Sequence, residues 1–137
     1  MKKFIILIPI FNDRESLAKL IEDINFEIKD LTSHISMIVV NDASLQQIID
    51  NYPNTENINS IEIINMKENR GHARCIASGL KYIFEKKEFD FVIPMDGDGE
   101  DRPTEIKSFI QLAEQSEGRT IIGERTKRSE SLFFKTC

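Results

Sequence analysis

Positive charge is in short supply in this chain. Eighteen Lys and Arg against 23 Asp and Glu leave a formal charge of −5 and a pI near 5.1, which weighs against nonspecific binding to nucleic acid. Cysteine is scarce too. Cys75 falls in an expected helix and Cys137 at the last position, so there is neither a disulfide framework nor a metal-binding spacing, and a reducing compartment is the default. No apolar run is long enough to span a bilayer. The opening KKFIILIPIF imitates a secretion signal, but it meets Pro9 and then Asn12-Asp13 and lacks a small-residue cleavage site, so it reads as a buried strand of a cytoplasmic protein. Internal repeats, low-complexity segments and interdomain linkers are absent, and 137 residues make at most one domain, spanning 1–137. The glycine pattern GxGxxG is missing after the first apolar run, which argues against a dinucleotide-binding domain.

What is present centres on FDFVIPMDGDGEDRP, residues 89–103. Phe89, Phe91, Val92, Ile93 and Met95 make a short run of strand formers that stops at Asp96, Asp98, Glu100 and Asp101, with Gly97 and Gly99 between the acids. Four carboxylates so close repel one another unless a positive charge sits among them. Hard oxygen ligands on alternating residues suit Mg²⁺ or Mn²⁺, which complete their shell with water and substrate phosphates. A lone DxD is more often a solvated acidic turn, and that reading stands beside the metal. An EF-hand does not fit: counting from Asp96, the Gly position holds Asp101 and the final Glu position holds Lys107.

In chain order, Ile5 to Ile10 predicts a central strand covered on both faces, with Pro9 marking where pairing gives way to loop. Asn12 or Asp13 caps a helix with apolar positions Leu17, Leu20, Ile21, Ile24, Ile28 and Leu31. Strands are expected at Ile35 to Val40, Ile61 to Met66, Phe89 to Met95 and Thr120 to Gly123, with a short helix from Leu45 to Asn51. After the third strand, Ala73, Ile76, Ala77, Leu80, Ile83 and Phe84 predict an inward helix stripe, and Gly71 lets backbone N–H groups approach an anion at that helix's start. Gly79 reads as a close-packing position. Pro103 is placed to open a further helix with Asp101 as cap and Ile106, Phe109, Ile110 and Ala113 inward. Alternating strands and helices predict an α/β fold, a mostly parallel sheet with helices on both faces. Ligands of such sheets collect at the carboxyl ends of the strands, where the non-periodic polar residues fall.

With PIFNDRESL, VVNDAS, NRGHARCIASGL, VIPMDGDGEDRP and IIGERTKR in order, the chain resembles family 2 glycosyltransferases of the Rossmann-like GT-A fold, and within them the branch that moves sugars onto polyprenyl or dolichyl phosphate. The resemblance implies a nucleoside diphosphate sugar donor, UDP- ahead of GDP-, a polyprenyl phosphate acceptor at the inner face of the membrane, a Mg²⁺ or Mn²⁺ cofactor, inversion at the anomeric carbon, and a place in cell-envelope polysaccharide synthesis. It implies nucleotide contacts at Pro9, Asn12, Asp13, Asp42, Asn69, Arg70, Gly71, Asp96, Gly97 and Asp98, with Asp42 accepting from the base. Metal ligation falls to Asp96, Asp98 and Glu100. Asp98, Arg125 and Arg128 take the catalytic roles, the arginines near the acceptor phosphate.

Departures from the family pattern are Asn41 for a frequent Asp, Ala43 for a frequent Gly, Gly99 for a bulkier residue and Arg102 for a frequent Pro. The family also continues well beyond position 137, so the resemblance implies a nucleotide-binding front, truncated at the C-terminus. A sugar hydroxyl acceptor needs a carboxylate base from beyond that point. A lipid phosphate, with a second pKa of about 6, is already anionic and needs only placement. The alternative is a nucleotide-sugar-binding module without turnover, associating with itself or a partner over the open sheet edge. Arg125 and Arg128 read equally as a solvated basic run with Lys127, His72 and Arg74 equally as exposed helix residues, and Leu132, Phe133 and Phe134 as an exposed remnant or dimer contact.

Overall fold

The middle layer is one mostly parallel sheet of strand order β3-β2-β1-β4-β5. The computed structural model describes residues 2–45, 52–96, 103–115 and 134–135, of the last pair the backbone alone. Strands β1 (Lys3–Ile10), β2 (His34–Asn41), β3 (Ser60–Asn65) and β4 (Phe91–Pro94) run parallel, and β5 (Phe134–Lys135) is antiparallel on β4. Helices α1 (Arg14–Glu27), α2 (His72–Lys86) and α3 (Pro103–Gln115) complete the described elements.

The continuous apolar run of β1 is explained by its two covered faces. Phe4, Ile6, Ile8 and Ile10 join α1 and α3 in one core, while Ile5 and Leu7 join α2 in the other. Each fully buried Ile or Leu contributes about 1.5–3 kcal/mol of transfer free energy, so burying both faces of one central strand anchors the sheet. On α1 the expected Leu17, Leu20, Ile21 and Ile24 are buried, and Ile28 is buried at its C-cap. On α3 the buried residues are Ile106, Ile110 and Ala113, with Phe109 partly buried against them.

Some expectations change. Pro9 stays inside β1, paired with Val40. Leu7 accepts from Met95 on the β4 side and Ile10 from Asp42 on the β2 side, so residue 9 turns its missing N–H toward β4, past the last pair Leu7–Pro94. β4 is shorter than expected, although its ladder bonds run from Asp90 to Met95. The inward stripe of α2 is Cys75, Gly79 and Ile83, with the expected Ile76 and Leu80 partly buried against the same core; Ala73 and Ala77 are exposed, and Phe84 is 54% exposed. The buried side is turned toward the small Cys75 and Gly79, and the close-packing reading of Gly79 holds: a Cβ there would lie 2.5 Å from Leu7 Cδ1. Residue 134, expected in an exposed remnant or a dimer contact, has its backbone paired with Val92 along the outer edge of β4, where backbone groups need partners. The short helix over 45–51, the strand over 120–123 and the Asp101 cap lie outside the described residues, Leu45 excepted.

From β1 the chain moves outward to β2 and β3, then returns through α2 to β4 on β1's other side. The order therefore reverses between β1 and β4, and the loops leaving these two strands diverge there. In open α/β sheets that divergence is where ligands bind.

Candidate functional site

The polar residues at the strand tips form a connected belt. At the end of β1, Asn12 has a left-handed φ of 51°, which Asn tolerates better than most residues. Its N–H donates to Ser44 Oγ at 2.9 Å, and its Oδ1 accepts from the Leu45 N–H at 2.6 Å. Asp13 caps α1, accepting from the Ser16 N–H at 3.4 Å. Phe11, between them and β1, is 47% exposed at the rim.

The end of β2 is more deeply set. Asn41 donates to Asn65 Oδ1 at 2.9 Å and accepts from the Ser44 N–H at 3.1 Å, tying the tips of β2 and β3. Asp42 is 4% exposed. Its Oδ1 accepts from the Arg70 N–H at 2.7 Å and its Oδ2 from the Gly71 N–H at 2.9 Å, while Asn69 donates to its carbonyl at 3.4 Å. Burial by itself would raise this carboxyl, but the two N–H groups and the Cys75 thiol outweigh it and hold Asp42 below its ordinary value. The thiol responds in the opposite direction. Burial first, then the bond to Asp42 and its charge, push Cys75 from 9.0 up to about 11.

At the end of β4, Asp96 Oδ1 pairs with His72 Nε2 at 3.0 Å. His72 is the first residue of α2, so that helix begins between the two acidic strand tips. The anion expected against the Gly71 N–H is thus supplied by the chain itself, as Asp42. Asp42, Asn69, Arg70 and Gly71 come together; Asn12 joins them through Ser44; Asp96 meets them through His72. Pro9 is buried in β1 behind this belt. Gly97, Asp98, Glu100, Arg125 and Arg128 lie outside the described residues.

Among the described residues no group of three His, Cys, Asp or Glu side chains is placed to hold a metal ion. Asp96 retains a side chain 30% exposed at the crevice, and a carboxylate oxygen donor there fits a hard divalent cation. A cavity of about 330 Å³ lined by Lys3, His34, Ser36, Ser60, Glu62 and Lys86 lies at the amino ends of the strands, away from this belt. The parts missed by the sequence reading are Asn65, Ser44 and the buried partner Cys75; VVNDAS carried the signal for Ser44, whereas the Cys75 contact needed the helix rotation.

Among the described residues, no helix is long and apolar enough to cross a membrane. The undecaprenyl-phosphate 4-deoxy-4-formamido-L-arabinose transferase of Photorhabdus laumondii is 33% identical over 142 residues, taking in 100% of this chain and 41% of that protein. The transferase of the same name from Yersinia enterocolitica is 33% identical over 138 residues with the same coverage. The chain therefore spans about two fifths of the length of these relatives. Among solved structures, S. aureus TarS 1–349 in complex with UDP superposes with a TM-score of 0.62 at 21% identity, covering 82% of this chain and 32% of TarS 1–349. The Pyrobaculum calidifontis mannosyltransferase PcManGT, in complex with GDP-Man and Mn²⁺, gives 0.55 at 18% identity, covering 90% and 36%. These likenesses share the fold, and the sequence profile that matches residues 5–136 is that of glycosyl transferase family 2: the chain belongs to this family.

Proposed function

We propose that this chain is the donor-binding part of a glycosyltransferase that moves a sugar from a nucleoside diphosphate sugar, UDP- ahead of GDP-, onto polyprenyl phosphate at the cytoplasmic face of a membrane, with inversion. The observation that carries the reading is the belt at the switch point, which gathers Asn12, Asp42, Asn69, Arg70, Gly71 and Asp96 from four strand ends in a chain 33% identical to undecaprenyl-phosphate sugar transferases. Pro9, Asn12, Asp13, Asp42, Asn69, Arg70 and Gly71 form the nucleoside side, Pro9 and Asp42 as buried residues behind the others. The diphosphate is assigned to Asp96, Gly97, Asp98 and Glu100, of which Asp96, Asp98 and Glu100 would hold Mg²⁺ or Mn²⁺. Bound there, a divalent cation would supply Lewis-acid stabilisation of the charge developing on the departing diphosphate. Arg125 and Arg128 place the acceptor phosphate through charge-assisted hydrogen bonds. That phosphate, with a second pKa of about 6, attacks as an anion and needs no proton removed.

Calorimetric titration with UDP-, GDP- and TDP-sugars, with and without Mn²⁺, tests this. The expected result is Mn²⁺-dependent binding of a UDP-sugar that is lost in Asp98→Ala. Failure of every donor to bind would overturn the reading. A second reading, a nucleotide-sugar-binding module without turnover, predicts binding without release of nucleoside diphosphate when polyprenyl phosphate is added.

A further inference from the structure

We infer that Asp42 is a positioning residue: its carboxylate fixes the backbone of Arg70 and Gly71 in the free protein and acts on a bound nucleotide through that loop. The clamp itself stands on geometry alone, and only the nature of the ligand rests on the function proposed above.

Both oxygens of Asp42 are committed, one to each of two consecutive backbone N–H groups at 2.7 and 2.9 Å. With 4% of its surface exposed, the side chain has little left to present to an incoming base. Its partners are dipoles of one segment, the consecutive N–H groups of Arg70 and Gly71. Such charge-assisted bonds are about twice as strong as neutral ones, and a pair on adjacent amides fixes direction as well as distance.

The loop needs that restraint. Gly71 is held at φ 91°, a conformation open to glycine at little cost, and it is the N-cap of α2 without a side chain of its own to close the helix. Asp42 supplies the anchor from the next strand tip. Directly after Gly71 stands His72, whose ring meets Asp96 just past the end of β4. The clamp therefore runs from the tip of β2 through the first residue of α2 to the acid at the tip of β4. A misplaced loop would disturb the nucleoside side and the Asp96 side together.

The test is amide hydrogen exchange by NMR on the whole chain, wild type and Asp42→Asn, with UDP and GDP affinities measured on both. Asn keeps one acceptor and turns an NH₂ toward an N–H. Exchange at Arg70 and Gly71 should accelerate on the order of tenfold or more while β1 and α1 amides are unchanged. The Kd values for UDP and GDP should rise by the same factor, leaving their ratio within about twofold. Unchanged exchange at residues 70 and 71 overturns the clamp. Faster exchange with unaltered affinities overturns the action on ligand, and a tenfold change in the UDP to GDP ratio shows instead a carboxylate that reads the base. If the wild type binds neither nucleotide, the proposed function fails while the exchange result still decides the clamp. If Asp42→Asn does not fold, the wild type decides the clamp: unprotected Arg70 and Gly71 amides overturn the inference and protection of both upholds the clamp, while Asp42→Glu, which keeps the charge and shifts both oxygens, then tests the action on ligand by the same paired Kd values.

Discussion

Ala43 occupies a left-handed position, φ 57°, directly after Asp42. A Cβ there crowds the backbone, at a cost of roughly 1–2 kcal/mol that glycine avoids. The family's frequent Gly at this place in VVNDAS has the same explanation. Some of the gain from glycine is returned as lost chain entropy, so Ala43→Gly is expected to stabilise the protein by about 0.5–1 kcal/mol. The measurement is the urea midpoint at unchanged m-value; a midpoint that falls would show the methyl packs well enough to outweigh its strain. Asn12, also left-handed at φ 51°, is a different case. Its N–H and side chain both hold the loop at residues 44–45, so Asn12→Gly is expected to destabilise, since the Leu45 N–H loses its acceptor.

At the scale of elements, the docking of α2 decides where the clamp and His72 sit. Gly79 lets the helix approach the sheet, and a Cβ there would stand 2.5 Å from Leu7 Cδ1 and 3.0 Å from Val40 Cγ2. Gly79→Ala is therefore expected to cost about 1–3 kcal/mol from overpacking, despite the better helix propensity of Ala. In a Leu7→Ala background the added cost should shrink, a coupling that a double-mutant cycle in urea measures directly. This helix also shows where legibility stopped. The first four strands, their alternation with helices, the α1 face and the Pro103 start were all readable, because apolar periodicity and Pro at a first turn act locally. The face of α2 was readable only in part, through Ile76, Leu80, Ile83 and the close packing of Gly79, because Cys75 is small and Ala73, Ala77 and Phe84 carry the apolar stripe past the buried side. The site was legible as a set of polar strand ends, through Asp42, Asn69, Gly71 and Asp96. Its wiring was not: a one-dimensional pattern cannot tell that both oxygens of Asp42 are taken by residues 28 and 29 positions on, or that His72 reaches Asp96.

For the whole molecule, the groups whose proton affinity differs between the folded and unfolded chain set how stability follows pH. Three groups hold protons more tightly in the fold than in the unfolded chain: Cys75, pushed from 9.0 to about 11 by burial and then by Asp42; Tyr82, raised chiefly by donating to Glu62; and Lys87, raised chiefly by the same carboxylate. The native state then binds more protons than the unfolded state on the alkaline side, so stability must fall as pH rises there. For Cys75 the contribution is complete below pH 9.0 and is lost as pH climbs through about 11. Asp42 and Glu62 act in reverse, since both are held below their ordinary values despite burial, Asp42 by N–H donors and Glu62 by Tyr82 and Lys87. Their contribution is present above the ordinary values of 3.8 and 4.5 and disappears as pH falls through the lower folded values. The expected profile is a plateau around neutrality with a fall on each side. Urea unfolding at constant ionic strength from about pH 3 to about pH 11 maps both limbs. Cys75→Ala should flatten the part of the alkaline limb above pH 9.0, because the titrating thiol is gone, while Glu62→Gln should act through Tyr82 and Lys87 and also soften the acid limb. An alkaline limb unaltered by both substitutions would mean that the thiol at α2 and the Glu62 cluster do not govern it, and that the coupling between Asp42 and Cys75 is weaker than their contact implies.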